Sequence, residues 1–137
     1  LALKGILDKN KIKYNQFMIV QASDLKKKFE KLRLNKRNTT LASLDIEKMY
    51  PSVRFSVIKK AIKYFMENLP ESKLKKIDNC LEMISFGMAF CLITFDRKYY
   101  KYNGEGESNN RVLVIGGYES AFLADLVASF LFEKFNK

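Results

Sequence analysis

Apolar residues recur at the spacing of an α-helix through most of this chain, and a few short stretches switch to a strand-like pattern. That combination confines the chain to the α+β class. Phe55, Ile58, Ile62 and Phe65 mark a helix over residues 53–68, with Lys59, Lys60 and Lys63 on its other side and Ser52 as its cap. Pro70 opens the next helix, whose apolar side carries Leu74, Ile77, Leu81, Ile84 and Met88. Further along it turns apolar all round, which predicts a central, enclosed helix. Ser23 suits the cap of a helix over residues 24–34, with Asp24 favourable in its first turn and Leu25, Phe29 and Leu32 inward. A last helix runs from residue 118 to 135, with Phe122, Leu126 and Phe130 along it. Residues 41–46 read as a short strand. Residues 94–102 and 111–115 read as a strand pair around a polar loop at 103–110, with Gly116 and Gly117 ending the second strand.

Composition narrows the chemistry. The 137 residues are 47% hydrophobic and include 11 Phe and 7 Tyr, enough for one domain's core. The absence of histidine excludes Ser-His-Asp and Cys-His catalysis and any His-ligated zinc. Cys80 and Cys91 are too few for a disulfide scaffold or a four-thiolate metal site. On one helix they would stand about 16 Å apart, too far to bridge, which predicts reduced core thiols in an intracellular protein. The apolar run at 83–95 contains Ser85 and Thr94 and falls short of the roughly 20 residues of a membrane span, so no membrane partner is expected. A first residue of Leu1, and not Met, reads as a piece of a longer protein.

Charge is concentrated at one end. Residues 1–40 hold 11 Lys and Arg against 3 Asp and Glu, whereas residues 81–137 hold 6 against 7. The cluster containing Lys26, Lys27, Arg33, Lys36 and Arg37 suits the neutralisation of nucleic-acid phosphates. Taken alone, the lysine run reads first as the solvated face of an amphipathic helix, since a charge asymmetry is not a site.

One stretch looks chemical: Asp45, Ile46, Glu47, Lys48, Met49, Tyr50, Pro51 and Ser52. A carboxylate at the end of a hydrophobic strand is a suitable hard-cation ligand, because the sheet fixes it and a backbone carbonyl can join it. From spacing alone, Asp45 reads first as an ordinary turn residue before Pro51.

These residues resemble the first catalytic motif of reverse transcriptases, an Asp followed five positions later by an aromatic residue at the end of a palm strand. The run from Ile115 through Gly116, Gly117 and Ser120 to Asp125 resembles that family's next motif, in which a Gly and then a Ser four residues later open a helix under template and nucleotide. Phe95, Tyr99 and Tyr102 fall where such enzymes carry an aromatic strand pair. The resemblance covers residues 38–135. It implies a partial polymerase palm at residues 41–137, a basic helical fingers-like segment at residues 1–40, and a short sheet and β-hairpin packed on several helices. It also implies nucleotidyl transfer by a two-metal mechanism, on a template-primer with deoxynucleoside triphosphates. Asp45 and the Ile46 carbonyl would be magnesium ligands, Tyr50 would lie under the sugar of the incoming nucleotide, and Gly116 and Ser120 would border the substrates.

The chain also departs from the family. Val114 and Ile115 stand in place of Pro-Gln, Ala121 replaces the Pro after the serine, and the paired-Asp motif is absent from the sequence. Two-metal transfer needs two ions about 4 Å apart, so the chain alone is expected to be inactive and to hold magnesium weakly or not at all. Two other readings stand beside this one. The string from Asp45 to Ser52 also resembles the first motif of family B DNA polymerases, although their later Lys-x-x-x-Asn-Ser-x-Tyr-Gly motif is absent. The chain also suits a basic nucleic-acid-binding or interaction module without catalytic ancestry. An incomplete palm would expose apolar surface and a sheet edge, and so favour self-association.

Overall fold

The computed structural model describes residues 2–14, 19, 21–32, 40, 43, 45–101, 111–117 and 119–135. In chain order these form helix α1 (Ala2–Lys9), α2 (Ala22–Lys31), the single turn α3 (Met49–Ser52), α4 (Phe55–Met66), α5 (Glu71–Ala89), strands β1 (Leu92–Phe95) and β2 (Lys98–Lys101), and α6 (Ser120–Phe135). Helices with a small antiparallel sheet make this the α+β fold that the patterning predicts.

The core lies where α4 meets α6 and spreads to α5 and α1. Ile58, Ile62 and Met66 supply one side, Leu123, Leu126 and Val127 the other, all essentially without solvent contact. Burial of each such side chain contributes about 1.5–3 kcal/mol. Leu3, Leu7 and Tyr14 belong to the same core, so the N-terminal helix is built into the body that α4 to α6 form. Tyr14 meets the ring of Phe122 edge-on, with centroids 5.6 Å apart. Lys73 on α5 donates from Nζ to Asn10 Oδ1, and Asn10 Nδ2 donates to the Ile6 carbonyl at 2.6 Å, which ties α5 to the end of α1. At the outer end of the α4–α6 contact, Tyr64 donates to Glu133 Oε2 at 2.8 Å.

The helix over 53–68 starts two residues late, and Ser52 does not cap it. Ser52 ends α3 and donates from Oγ to the Glu47 carbonyl at 3.1 Å. The first backbone N–H of α4, at Phe55, instead donates across the molecule to the Arg111 carbonyl at 2.7 Å. A distant backbone acceptor thus does what a cap side chain does. Likewise α2 starts at Ala22, with Gln21 at its cap position, so Ser23 falls inside the first turn; its hydroxyl donates to Gln21 Oε1 at 3.3 Å. Leu25, Phe29 and Leu32 are exposed, so the inward face expected of this helix is not buried against the described residues.

Two strand expectations are corrected. The stretch read as one strand at 94–102 contains the hairpin's turn. β1 pairs with β2 through Leu92↔Lys101, Ile93↔Tyr100, Thr94↔Tyr99 and Phe95↔Lys98, with Asp96 and Arg97 at the corner. Both corner residues take left-handed φ, +48° and +59°, the geometry of a tight two-residue hairpin turn. Among residues 111–115, Val112 forms a single antiparallel bridge with Arg54, and no strand develops. Of the strand expected at 41–46, Ser43, Asp45 and Ile46 carry no strand, and residues 41, 42 and 44 lie outside the described residues. The loop expected at 103–110 lies outside the described residues. The all-round apolar part of α5 is not enclosed: Ile84 and Met88 are buried, while Met83 and Phe86 face solvent.

Candidate functional site

The two motif-bearing stretches lie far apart in sequence and meet through backbone. The Leu113 N–H donates to the Val53 carbonyl at 3.2 Å, and the Phe55 N–H donates to the Arg111 carbonyl, around the Arg54–Val112 bridge. Val53 and Leu113 are buried at this seam. Arg111 reinforces it, donating from Nη1 to the Ser85 carbonyl of α5 at 3.1 Å. Because the bridge is antiparallel, with Val53 beside Leu113 and Phe55 beside Arg111, the Asp45–Ser52 stretch enters the seam at the same end at which Gly116 and Gly117 leave it. α3, which holds Tyr50, also packs on α6, which Ser120 opens.

Asp45 is exposed and accepts a hydrogen bond from the Ile46 N–H at Oδ1, 2.9 Å away. Ile46 is exposed beside it. Lys48 adopts a left-handed φ of +48° at the entry to α3, turning the chain sharply after the acidic pair Asp45 and Glu47. Tyr50 is half-buried and leans on the core with Met49. Among the described residues no three Asp, Glu, Cys or His side chains converge. Asp45 therefore offers one carboxylate, with one oxygen already accepting from backbone, and the rest of a cation's octahedral shell would be water.

Gly116 and Gly117 have different tasks. Gly116 takes φ +85°, and a Cβ there would have nothing within 4 Å: the position needs glycine for its backbone angle, and its surface is open. At Gly117 a Cβ would come 2.5 Å from Ser120 Oγ and 3.2 Å from the Val114 carbonyl oxygen. Close approach is thus the constraint at Gly117, the neighbour of the expected glycine, and it operates within the chain. The Gly117 N–H donates to the Val114 carbonyl at 3.1 Å, and the Ser120 N–H to the Gly117 carbonyl at 3.0 Å, closing two successive turns. Ser120 is 6% exposed, so its hydroxyl lies under the turn and away from solvent. Sequence reasoning missed Gly117 and Arg111; the paired glycine was the available signal for the first, and nothing in the local pattern marks the second.

Between α5, α6 and the turn lies a half-open cavity of about 310 Å³, lined by Ile84, Gly87, Met88, Cys91, Leu113 and Gly117 among others. Both cysteines are free thiols. Burial, then the nearby Glu119 carboxylate, raises the Cys80 thiol above its ordinary pKa. Burial also raises the Asp125 carboxyl, and Tyr14 is raised by burial, then by Asp8 and Asp125.

Of the basic cluster, Lys26 and Lys27 stand exposed on α2, with Lys26 Nζ 3.9 Å from Glu30 Oε1. Arg33, Lys36 and Arg37 lie outside the described residues. No described helix is long and apolar enough to cross a membrane. Compared with protein-family models, curated proteins and solved structures, the chain matches none.

Proposed function

We propose that the chain is part of a template-directed nucleic-acid polymerase of the reverse transcriptase type, inactive by itself. The observation that carries this reading is the backbone seam between residues 53–55 and 111–113. It supports the reading because the two stretches that resemble successive catalytic motifs are joined at their inner ends, as a shared substrate site requires. Asp45 and the Ile46 carbonyl contribute one side of a magnesium site. The chemistry magnesium supplies in such a centre is neutralisation of charge around the transferred phosphoryl group. Tyr50 is braced from behind by the core, as a side chain that limits space at a sugar must be. Gly116 presents open backbone to the nucleic acid, and Ser120 acts from beneath as a positioning residue that sets the Gly117 turn. Lys26 and Lys27 supply phosphate contacts without sequence information.

The coding sequence downstream of Lys137 tests the proposal. An aromatic-x-Asp-Asp motif within a few tens of residues is the expected result. A coding region without it contradicts the polymerase assignment and leaves the binding-module reading.

A further inference from the structure

The hairpin leaves all eight strand residues exposed, although a two-stranded sheet is marginal without something against it. Its register puts Leu92, Thr94, Tyr99 and Lys101 on one face. That face continues onto the end of α5. Lys101 Nζ sits 4.8 Å from the centroid of the Phe90 ring, and Phe90 stacks on Phe86 with centroids 4.4 Å apart and planes inclined by 35°. The rings stay open to solvent: Tyr99 is 78% exposed, Phe86 64% and Phe90 52%. The charge on this face is the Lys101 cation. Asp96 and Arg97 lie at the corner, Lys98 is on the opposite face beside Phe95, and residues 83–91 carry no charge.

We propose that Phe86, Phe90, Tyr99 and Lys101, none of them a residue of the Asp45–Gly116 site, form a stacking platform for single-stranded nucleic acid. Open aromatic faces beside a cation match the two things a single strand offers everywhere, unstacked base faces and phosphates. A duplex hides its base faces, and an apolar protein partner would gain nothing from the Lys101 ammonium over the Phe90 ring. Lys101 serves both parts, lying over the Phe90 ring while keeping its charge available to a phosphate. The proposal rests on the nucleic-acid reading above and extends it to the chain's neutral-to-acidic half, where net charge gives no hint of it.

The test is fluorescence anisotropy of a labelled 12-nucleotide deoxythymidine strand, and of a labelled duplex of the same length, against the intact 137-residue chain over several salt concentrations. Tyr99→Leu and Phe90→Leu should each weaken single-strand binding by about tenfold without changing the salt slope. Tyr99→Phe, which keeps the ring, should bind as the wild type does. Lys101→Gln should make the slope of log affinity against log salt shallower by about 0.7. Wild-type affinity in both Leu variants overturns the platform while leaving the polymerase proposal intact; no binding of any strand by the wild type removes both. Duplex binding as tight as single-strand binding, with the same response to Tyr99→Leu, also overturns it. So does sedimentation showing a dimer that Tyr99→Leu dissociates, with strand affinity following the dimer: the face would then be a contact between copies.

Discussion

At Gly117 a Cβ would stand 2.5 Å from the Ser120 hydroxyl and 3.2 Å from the Val114 carbonyl oxygen, so the serine has to shift to admit a side chain. Gly117→Ala should therefore destabilise the chain by about 1–3 kcal/mol, read from urea denaturation, and adding Ser120→Ala should recover part of the loss. An unaffected midpoint in the single variant would show that the turn yields. Asp125 makes a second prediction, with the opposite sign. Burial raises its folded pKa above the unfolded value of about 3.9. The folded chain therefore holds the proton more strongly, and stability falls as pH rises from the unfolded pKa through the folded one. Asp125→Asn should raise the melting temperature at pH 7 relative to wild type and lose that advantage near pH 3. Equal shifts at both pH values would contradict burial as the cause. At this scale the sequence displayed Asp45 and Tyr50 through their spacing, but could not show which glycine of the pair carries the steric constraint, because that depends on where Ser120 folds back.

Among elements, α2, α4, α5 and α6 were legible, whereas α1 and the single turn α3 were not expected and the strands were misplaced. Ile58, Ile62, Ile77, Leu81, Ile84 and Leu126 fall at helical spacing and are buried, because a helix shows its apolar stripe in its own sequence. The hairpin turn at Asp96 and Arg97 carries no Gly, Pro or Asn, so nothing local separated two four-residue strands from one longer strand. The strand expected at 111–115 reduces to one bridge, since its partner is the entry to α4 and that entry is only a few residues long. α5 was expected to be enclosed because it is apolar all round near its end; Met83 and Phe86 are exposed because the neighbouring elements cover one side only. The α4–α6 contact holds these pieces together, and Ile62→Ala should cost about 2–5 kcal/mol in denaturation. A loss below about 1 kcal/mol would place the stabilising core elsewhere. Arg97→Gly relieves a left-handed residue, and should slow amide exchange across β1 and β2 without moving the exchange of α4.

For the whole molecule, the asymmetry of charge and the joining of two distant stretches at one seam define the functional account. The charge was readable by counting; the seam was not, because it consists of backbone hydrogen bonds between residues whose side chains carry no pairing signal. If about four of the N-terminal cations engage a single strand, log affinity should fall with log salt at a slope near −3. A flat dependence would make the basic half a solvated surface. Titration with manganese should give at most roughly millimolar binding near Asp45, as one carboxylate and a carbonyl allow; tight binding elsewhere would displace Asp45 from its assigned role. The most direct measurement is extension of a DNA primer on an RNA template, with magnesium and deoxynucleoside triphosphates, by the longest natural product that contains this chain. The account predicts templated extension by that product, loss of extension in its Asp45→Asn variant without loss of template binding, and weaker exclusion of ribonucleotides in Tyr50→Ala. Extension that survives Asp45→Asn, or a natural product that binds the template and never extends the primer, would contradict it.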